Sequence, residues 1–338
     1  MMKLAKMATV TRSGLVESTH YGDAVVADGD GRVLGFAGDS ERWAYMRSSS
    51  KPLQALLVVQ TGAADRFAFT EKELAICCAS HCGSAEHVAT VLNILEKLGL
   101  GEADLECGVH LPGDSQERQR LTCEGTEPGP AHNNCSGKHA GMLASALAMG
   151  VPTAGYSQPE HPVQQATVRN IAAMCDMPAE EIRLGVDGCG VPTFGMPLRN
   201  MAIGFARLAT PQDLSVELKG AAERICEAMA AAPVMISGPG SFNTTLLEVA
   251  GDTVTCKGGA EGLFMLGVRG RNMGLAVKIS DAGGRAQAPA VLAALRQLDV
   301  LTDKQHESLA DFAYPQVSNC HGEIVGQINA ELVLEINE

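Results

Sequence analysis

The sequence predicts an α+β protein whose antiparallel sheet is built from both ends of the chain, with a helical lobe inserted between them. Strand-like segments are confined to the first and last parts of the 338 residues, the middle reads as largely helical, and neither a solenoid-period repeat nor a low-complexity linker interrupts it. One sheet made from the two ends is the economical way to bury the apolar faces of those strands. The boundaries expected are a sheet lobe of about 1–65 and 232–338 and a helical lobe of about 66–231, forming a single two-lobed unit.

Taken in order, Ala24–Ala27, the turn Asp28-Gly29-Asp30-Gly31 and Arg32–Phe36 read as strand, turn, strand. Pro52 to about Gly62 reads as a buried helix and Glu71–Ala79 as a second. Ser84–Leu98 is amphipathic, with Val88, Val91, Leu92 and Leu95 as its apolar positions. Gly137–Gly150, Val163–Cys175 (opened by His161-Pro162) and an Ala- and Glu-rich Pro211–Ala231 continue the helical run. Beyond it, Thr244–Cys256, Gly262–Val268 and Gly274–Ile279 read as strands, Ala290–Leu298 as a helix, and Glu323–Ile336 shows strand-like alternation. Glycines in Ser237-Gly238-Pro239-Gly240-Ser241 mark a loop with close backbone approach.

Composition narrows the function. With 26 basic against 39 acidic residues, the formal charge of −13 repels phosphate backbones and argues against nucleic acid as a partner. A mean hydropathy of +0.05 fits a globular protein, and the longest apolar runs, such as Leu53–Val59, are too short to span a bilayer, so no membrane partner is expected. Residues 1–14 lack an apolar signal core, and a cytoplasmic location is the expectation. An odd eleven cysteines in a long chain argues for reduced, mostly buried thiols rather than a disulfide framework.

The segment Arg47-Ser48-Ser49-Ser50-Lys51-Pro52 places a hydroxyl and an amine three residues apart. Residues i and i+3 share a helical face, and a serine needs a nearby base to become a nucleophile. Lysine is that base when burial or a neighbouring cation lowers its pKa. Pro52 marks a first helical turn, putting Ser48 at or just before a helix start where N–H groups favour negative charge. Three further segments crowd polar residues beside glycines. Cys78-Ala79-Ser80-His81-Cys82-Gly83 offers Ser80 or His81 as a proton relay, and Lys257-Gly258-Gly259 puts a cation at a strand end, able to hold Ser80 and to repel Lys51. Finally, Asn134-Cys135-Ser136-Gly137-Lys138-His139 and Asp187-Gly188-Cys189-Gly190 bring soft sulfur donors that suit Zn²⁺, although Cys-x-x-Lys with a distant cysteine is not a standard zinc pattern.

The order Ser-x-x-Lys, serine loop, late lysine with glycines is similar to the motif set of serine β-lactamases and penicillin-binding proteins. Two departures, His81-Cys82 after Ser80 and Gly258 after Lys257, point away from a β-lactam substrate. Through nearly the whole length the chain resembles the rhizobial-type (class 3) L-asparaginases. The likeness is carried by Arg47–Pro52, Cys78–His81, Cys107–Pro112, Asn134–Leu143, Asp187–Pro192, Lys257–Gly262 and Val277–Asp281. It implies a serine-β-lactamase-like fold and hydrolysis of free L-asparagine to L-aspartate and ammonia, with Ser48 paired to Lys51 and Ser80 to Lys257. It also implies zinc held by Cys135, Lys138 and Cys189 with Asp187 beside them, and a homodimer. For the substrate carboxylate the candidates are Arg47 and His139. Two other readings remain at this stage: a non-catalytic zinc- or amino-acid-binding protein, and a serine peptidase or esterase on the same scaffold.

Overall fold

The computed structural model describes residues 4–337, and these divide into two compact units. The first comprises 1–49, 196–210 and 245–338, and the second 50–195 and 211–244.

The first unit is built on an antiparallel sheet. Its main run of strands is ordered Gln316–Ser318, Ile324–Ala330, Ala5–Arg12, Leu15–Ala27, Met273–Ile279, Leu263–Val268 and Val254–Gly258, with Val33–Ala37 and Glu335–Ile336 paired beside Leu15–Ala27. Strands from both ends of the chain therefore lie side by side, as the sequence predicts. Leu263–Val268 is buried at every residue, and successive side chains point to opposite faces, so both faces of this strand are covered. The helices Leu198–Ala209 and Gly284–Gln297 pack on the sheet and supply that cover. The first lies so close that a Cβ at Gly267 or Gly274 would overlap the carbonyl oxygens of Phe205 and Ala202.

The second unit is mainly helical. Helix Lys51–Gln60 is buried from Lys51 to Val58 and packs against Ser136–Met149, Pro162–Met174 and Val216–Ala231. A helix apolar on all sides belongs in the middle of a bundle. Glu71–Cys77 starts in a capping box made by Thr70 and Glu73, and Ala85–Leu98 is capped by Ser84. A hairpin pairs Arg183–Val186 with residues 192–195. No helix among the described residues is long and apolar enough to cross a membrane.

Most helices and strands lie close to their expected spans, with four corrections. Thr244–Cys256 is not one strand: Phe242–Ala250 is helical and only Val254–Gly258 is extended. Thr244, Thr245 and Val249 favour strands by propensity, but Ser241 Oγ accepts the Thr244 N–H at 3.3 Å, and Leu246, Leu247 and Ala250 are buried at helical spacing. In Ala85–Leu98 the buried face is His87, Thr90, Val91, Ile94, Leu95 and Leu98, while Leu92 is exposed. His87 turns inward because both ring nitrogens find partners, Ser84 Oγ at 2.6 Å and the Val234 carbonyl at 3.0 Å. The helix expected from Pro211 starts at Val216 behind its Ser215 cap, and the one expected from Ala290 begins at Gly284 and runs through Pro289. The units also divide elsewhere than at 65/66 and 231/232. Helix Lys51–Gln60 is packed among other helices, and Leu198–Ala209 lies on the sheet.

Candidate functional site

Arg47–Ser50 forms a turn of 3₁₀ helix that leads directly into helix Lys51–Gln60. Arg47 opens it with φ of +49°, a conformation uncommon outside glycine. The three consecutive serines have different surroundings. Ser49 is buried, its hydroxyl donating to the Met46 carbonyl at 2.5 Å and lying 2.9 Å from Met265 Sδ. Ser50 is buried too, whereas Ser48 is half-buried. Ser48 is thus the most accessible of the three. Gly259 reaches this turn from strand Val254–Gly258: a Cβ there would lie 3.0 Å from Met46 O and 3.2 Å from Ser49 N. Lys257, buried at the end of the same strand, donates to the Gly258 carbonyl at 2.8 Å.

In the second unit, the amine of Lys51 is fully buried and donates to the Ala79 carbonyl at 2.6 Å, to Ser80 Oγ at 2.9 Å and toward the Asn134 carbonyl at 3.4 Å. The loop after Glu71–Cys77 is fixed by backbone bonds, Ser80 N to Ile236 O at 2.9 Å and His81 N to Asn134 O at 3.2 Å. His81 does not act as a free relay. Its Nδ1 accepts from Gly83 N at 3.1 Å, so Nε2 carries the ring hydrogen and faces Ser136 Oγ at 2.9 Å, which in turn donates to Ala131 O. Burial, together with His87 and Lys51, holds the His81 pKa well below 6.5.

Beside Lys51 lies a buried thiol–amine cluster. Cys135 immediately precedes helix Ser136–Met149, and Lys138 lies in its first turn, where Gly137 and Gly141 let the helix approach Ile76 and Cys77. Cys189 is carried on the turn of the hairpin, closed by Asp187 N to Val191 O and Gly190 N to Asp187 O, both 2.9 Å. Lys138 Nζ donates to Cys189 Sγ at 3.1 Å. A hydrogen bond from Cys189, aided by the charges of Lys51 and Lys138, outweighs burial and holds the Cys135 thiol well below its ordinary range. The same bond, with burial, pushes the Cys189 thiol up. Burial favours neutral Lys138, but Cys189, Cys135 and Asp187 outweigh it and raise its pKa.

The donor set can be tested against zinc on chemical grounds. Among the described residues no group of three or more His, Cys, Asp or Glu side chains is placed to hold a metal ion. With Lys138 included, the cluster offers two sulfurs and one nitrogen, one thiol already acidified. These fit a soft divalent ion once Lys138 gives up its proton. None of the eleven cysteines forms a disulfide, and eight of them are buried.

Two groups of expected residues therefore emerge. Ser48, Arg47 and Lys257 belong to the first unit, and Lys51, Ser80, Cys135, Lys138, His139, Asp187 and Cys189 to the second. His139 is fully buried, and burial, then Lys138 and Lys51, lower its pKa well below 6.5. It is therefore neutral and can offer a carboxylate an N–H donor but no charge. Sequence reasoning missed Tyr156, whose phenol lies 2.7 Å from His139 Nδ1. Its rarity, one of four tyrosines in the chain, is the only signal the sequence carries.

The model of the L-asparaginase II family matches residues 8–330. The chain belongs to the L-asparaginase II family. This membership supports an amidohydrolase. No curated protein matches the sequence. Among solved structures the protein is similar to Mglu in its native form in 4.3 M NaCl, at 16% identity and TM-score 0.38 over 83% of this chain and 61% of that one. It is also similar to a Bacillus glutaminase, at 14% identity and TM-score 0.37 over 82% and 91% of the two chains. A β-lactamase from Mycobacterium bovis matches at 15% identity and TM-score 0.40 over 86% and 95%. The chain thus spans less than two thirds of the length of Mglu, and likenesses this distant decide nothing about the site.

Proposed function

We propose that this L-asparaginase II family member is an amidohydrolase of the rhizobial-type class, hydrolysing free L-asparagine to L-aspartate and ammonia through an acyl-enzyme on Ser48. The observation that carries the reading is the buried Lys51 amine held against Ser80 Oγ, three residues along the chain from the most accessible of three consecutive serines. In this reading Lys51, with Ser80 as its hydroxyl partner, takes the Ser48 proton as the hydroxyl attacks the side-chain amide carbon. The carbonyl oxygen becomes an oxyanion, which backbone N–H groups of the Arg47–Ser50 turn and of strand Val254–Gly258 stabilise. Lys51 returns that proton to the amide nitrogen as the intermediate collapses, and ammonia leaves. Water then attacks the ester, and aspartate leaves as Ser48 recovers its hydrogen. Lys257 supports Ser80, and Arg47 supplies charge for the substrate carboxylate. Zinc held by Cys135, Lys138 and Cys189 would supply a cation near a substrate oxygen or simply brace the cluster.

The test is ammonia release from L-asparagine and L-glutamine by the purified protein, with added Zn²⁺ or chelator. The expected result is turnover of asparagine with weak turnover of glutamine. Ser48→Ala should lose at least about 10³-fold in kcat, with its fold intact. A Ser48→Ala protein that still hydrolyses asparagine would overturn the serine mechanism. Preference for glutamine would move the substrate assignment. Ligand-induced thermal stabilisation without ammonia release would favour a binding protein, and faster cleavage of chromogenic esters would favour a peptidase or esterase.

A further inference from the structure

His139 leaves one polar atom unaccounted for. Its ring and that of Tyr156 are both fully buried in the second unit and meet edge-on, with centroids 5.5 Å apart at 76°. His139 Nδ1 lies 2.7 Å from the Tyr156 phenol, while Nε2 has no hydrogen-bond partner among the described residues. The phenol oxygen also accepts the backbone N–H of Glu106 at 2.8 Å.

These contacts place the protons. A phenol has a single hydrogen to donate. If that hydrogen goes to His139 Nδ1, the ring hydrogen sits on Nε2, and one buried donor is left over. If Nδ1–H donates instead, both the phenol hydrogen and the Nε2 lone pair are stranded, each at a desolvation cost. The first arrangement is the more stable.

Tyr156 is also held more firmly than a packing residue requires. The Glu106 carboxylate accepts the backbone N–H of Gly155 at 2.7 Å and of Ser157 at 3.2 Å, gripping both chain neighbours of the tyrosine. Gln164 Nε2 donates to the Tyr156 carbonyl at 2.8 Å. One glutamate thus fixes the phenol and the backbone on either side of it.

We propose that Tyr156 is a positioning residue that holds His139 with its hydrogen on Nε2, so that the ring offers a buried N–H donor to an oxygen of the bound amino acid. The identity of that ligand rests on the amidohydrolase reading. The oxygen is either the α-carboxylate or the side-chain carbonyl, and two ligands separate them. L-alanine carries only the first, and L-aspartate carries both.

The experiment is long-range ¹H–¹⁵N NMR on full-length protein labelled at histidine, titrated to saturation with each ligand, with ammonia release from L-asparagine measured on the same preparation. The expected result is an Nε2–H tautomer for His139 that shifts on saturation with L-aspartate. A shift with L-alanine as well assigns the α-carboxylate, and a shift with L-aspartate alone assigns the side chain. Tyr156→Phe should lose the tautomer preference and bind L-aspartate about tenfold more weakly, the scale of one hydrogen bond. An Nδ1–H tautomer in the wild type overturns the proposal. So does a signal unmoved at saturation, which would leave the donor to an internal water, or unchanged aspartate affinity in the folded variant. Should Tyr156→Phe not fold, the wild-type titration decides alone. Asparagine hydrolysis with an unmoved His139 signal sinks this inference and leaves the function standing. A moved signal without ammonia release sinks hydrolysis and leaves the donor assignment.

Discussion

Cys135 and Cys189 are chemically the same residue in nearly the same place, yet their acidities are driven in opposite directions. The hydrogen bond between the two sulfurs is the largest cause of both shifts, lowering Cys135 and raising Cys189, while Lys51 and Lys138 favour the ionised form of either. A thiolate between two amines is a poor arrangement for a merely apolar core, and it is the state in which sulfur binds metal. The protein as isolated should therefore carry about one zinc per chain by elemental analysis. Cys189→Ala should bring that toward zero while the far-ultraviolet spectrum is kept. Full zinc content in that variant would remove Cys189 from the ligand set, and a zinc-free wild type would leave the cluster as a buried ion pair. The sequence alone could list Cys135, Lys138 and Cys189 but not join them. Cys189 rides a hairpin turn 51 residues from Lys138, and only the folded hairpin brings its sulfur to the amine.

At the scale of the element, close approach separates the glycines that matter from those that do not. Gly274 lies beneath helix Leu198–Ala209, where any Cβ would overlap the Ala202 carbonyl, while Gly101 faces open space. Gly274→Ala should cost about 3 kcal/mol in urea unfolding, at the upper end of overpacking, and Gly101→Ala only about 0.5 kcal/mol or less. Equal effects would mean that the helix slides aside without cost. Legibility in the sequence also varied by element. The helix starting at Lys51 and the strands Leu263–Val268 and Met273–Ile279 announce themselves by dense apolar runs and a proline. Phe242–Ala250 does not, because its two threonines and a valine argue for a strand and its cap at Ser241 is recognisable only once the helix exists. The inward turn of His87 was equally hidden, since a histidine counts as polar until Ser84 and Val234 engage both of its nitrogens.

For the molecule as a whole, the buried histidines set the response to acid. Burial is the largest cause that lowers the pKa of both His81 and His87 from 6.5, so both are neutral when folded. The unfolded chain binds protons at these positions as the pH drops through 6.5, while the folded chain resists. Their contribution to stability is complete above 6.5 and declines below it. Glu117, whose pKa Arg120 lowers from 4.5, contributes a further loss only at more acid pH. The melting temperature should be nearly flat from about pH 8 to 7 and fall steadily between about 6.5 and 5. A curve that stays flat until the carboxylates titrate would mean that the histidines keep similar acidity in both states.

The pairing of Ala5–Arg12 with Ile324–Ala330 carries a consequence for how the protein is made. Thr11 Oγ1 donates to the Gln327 carbonyl at 3.1 Å, across 316 residues of sequence. At a synthesis rate of about 5–20 residues per second, the first of these strands leaves the ribosome tens of seconds before its partner is translated. During that interval one edge of Ala5–Arg12 is an unpaired row of N–H and C=O groups on a nascent chain, open to strands of neighbouring polypeptides. The helical residues 50–195 emerge whole in the meantime, and their contacts lie much nearer in sequence. Birth order thus favours a helical unit that condenses during translation and a sheet that closes only near its end, with a chaperone best placed on the waiting edge.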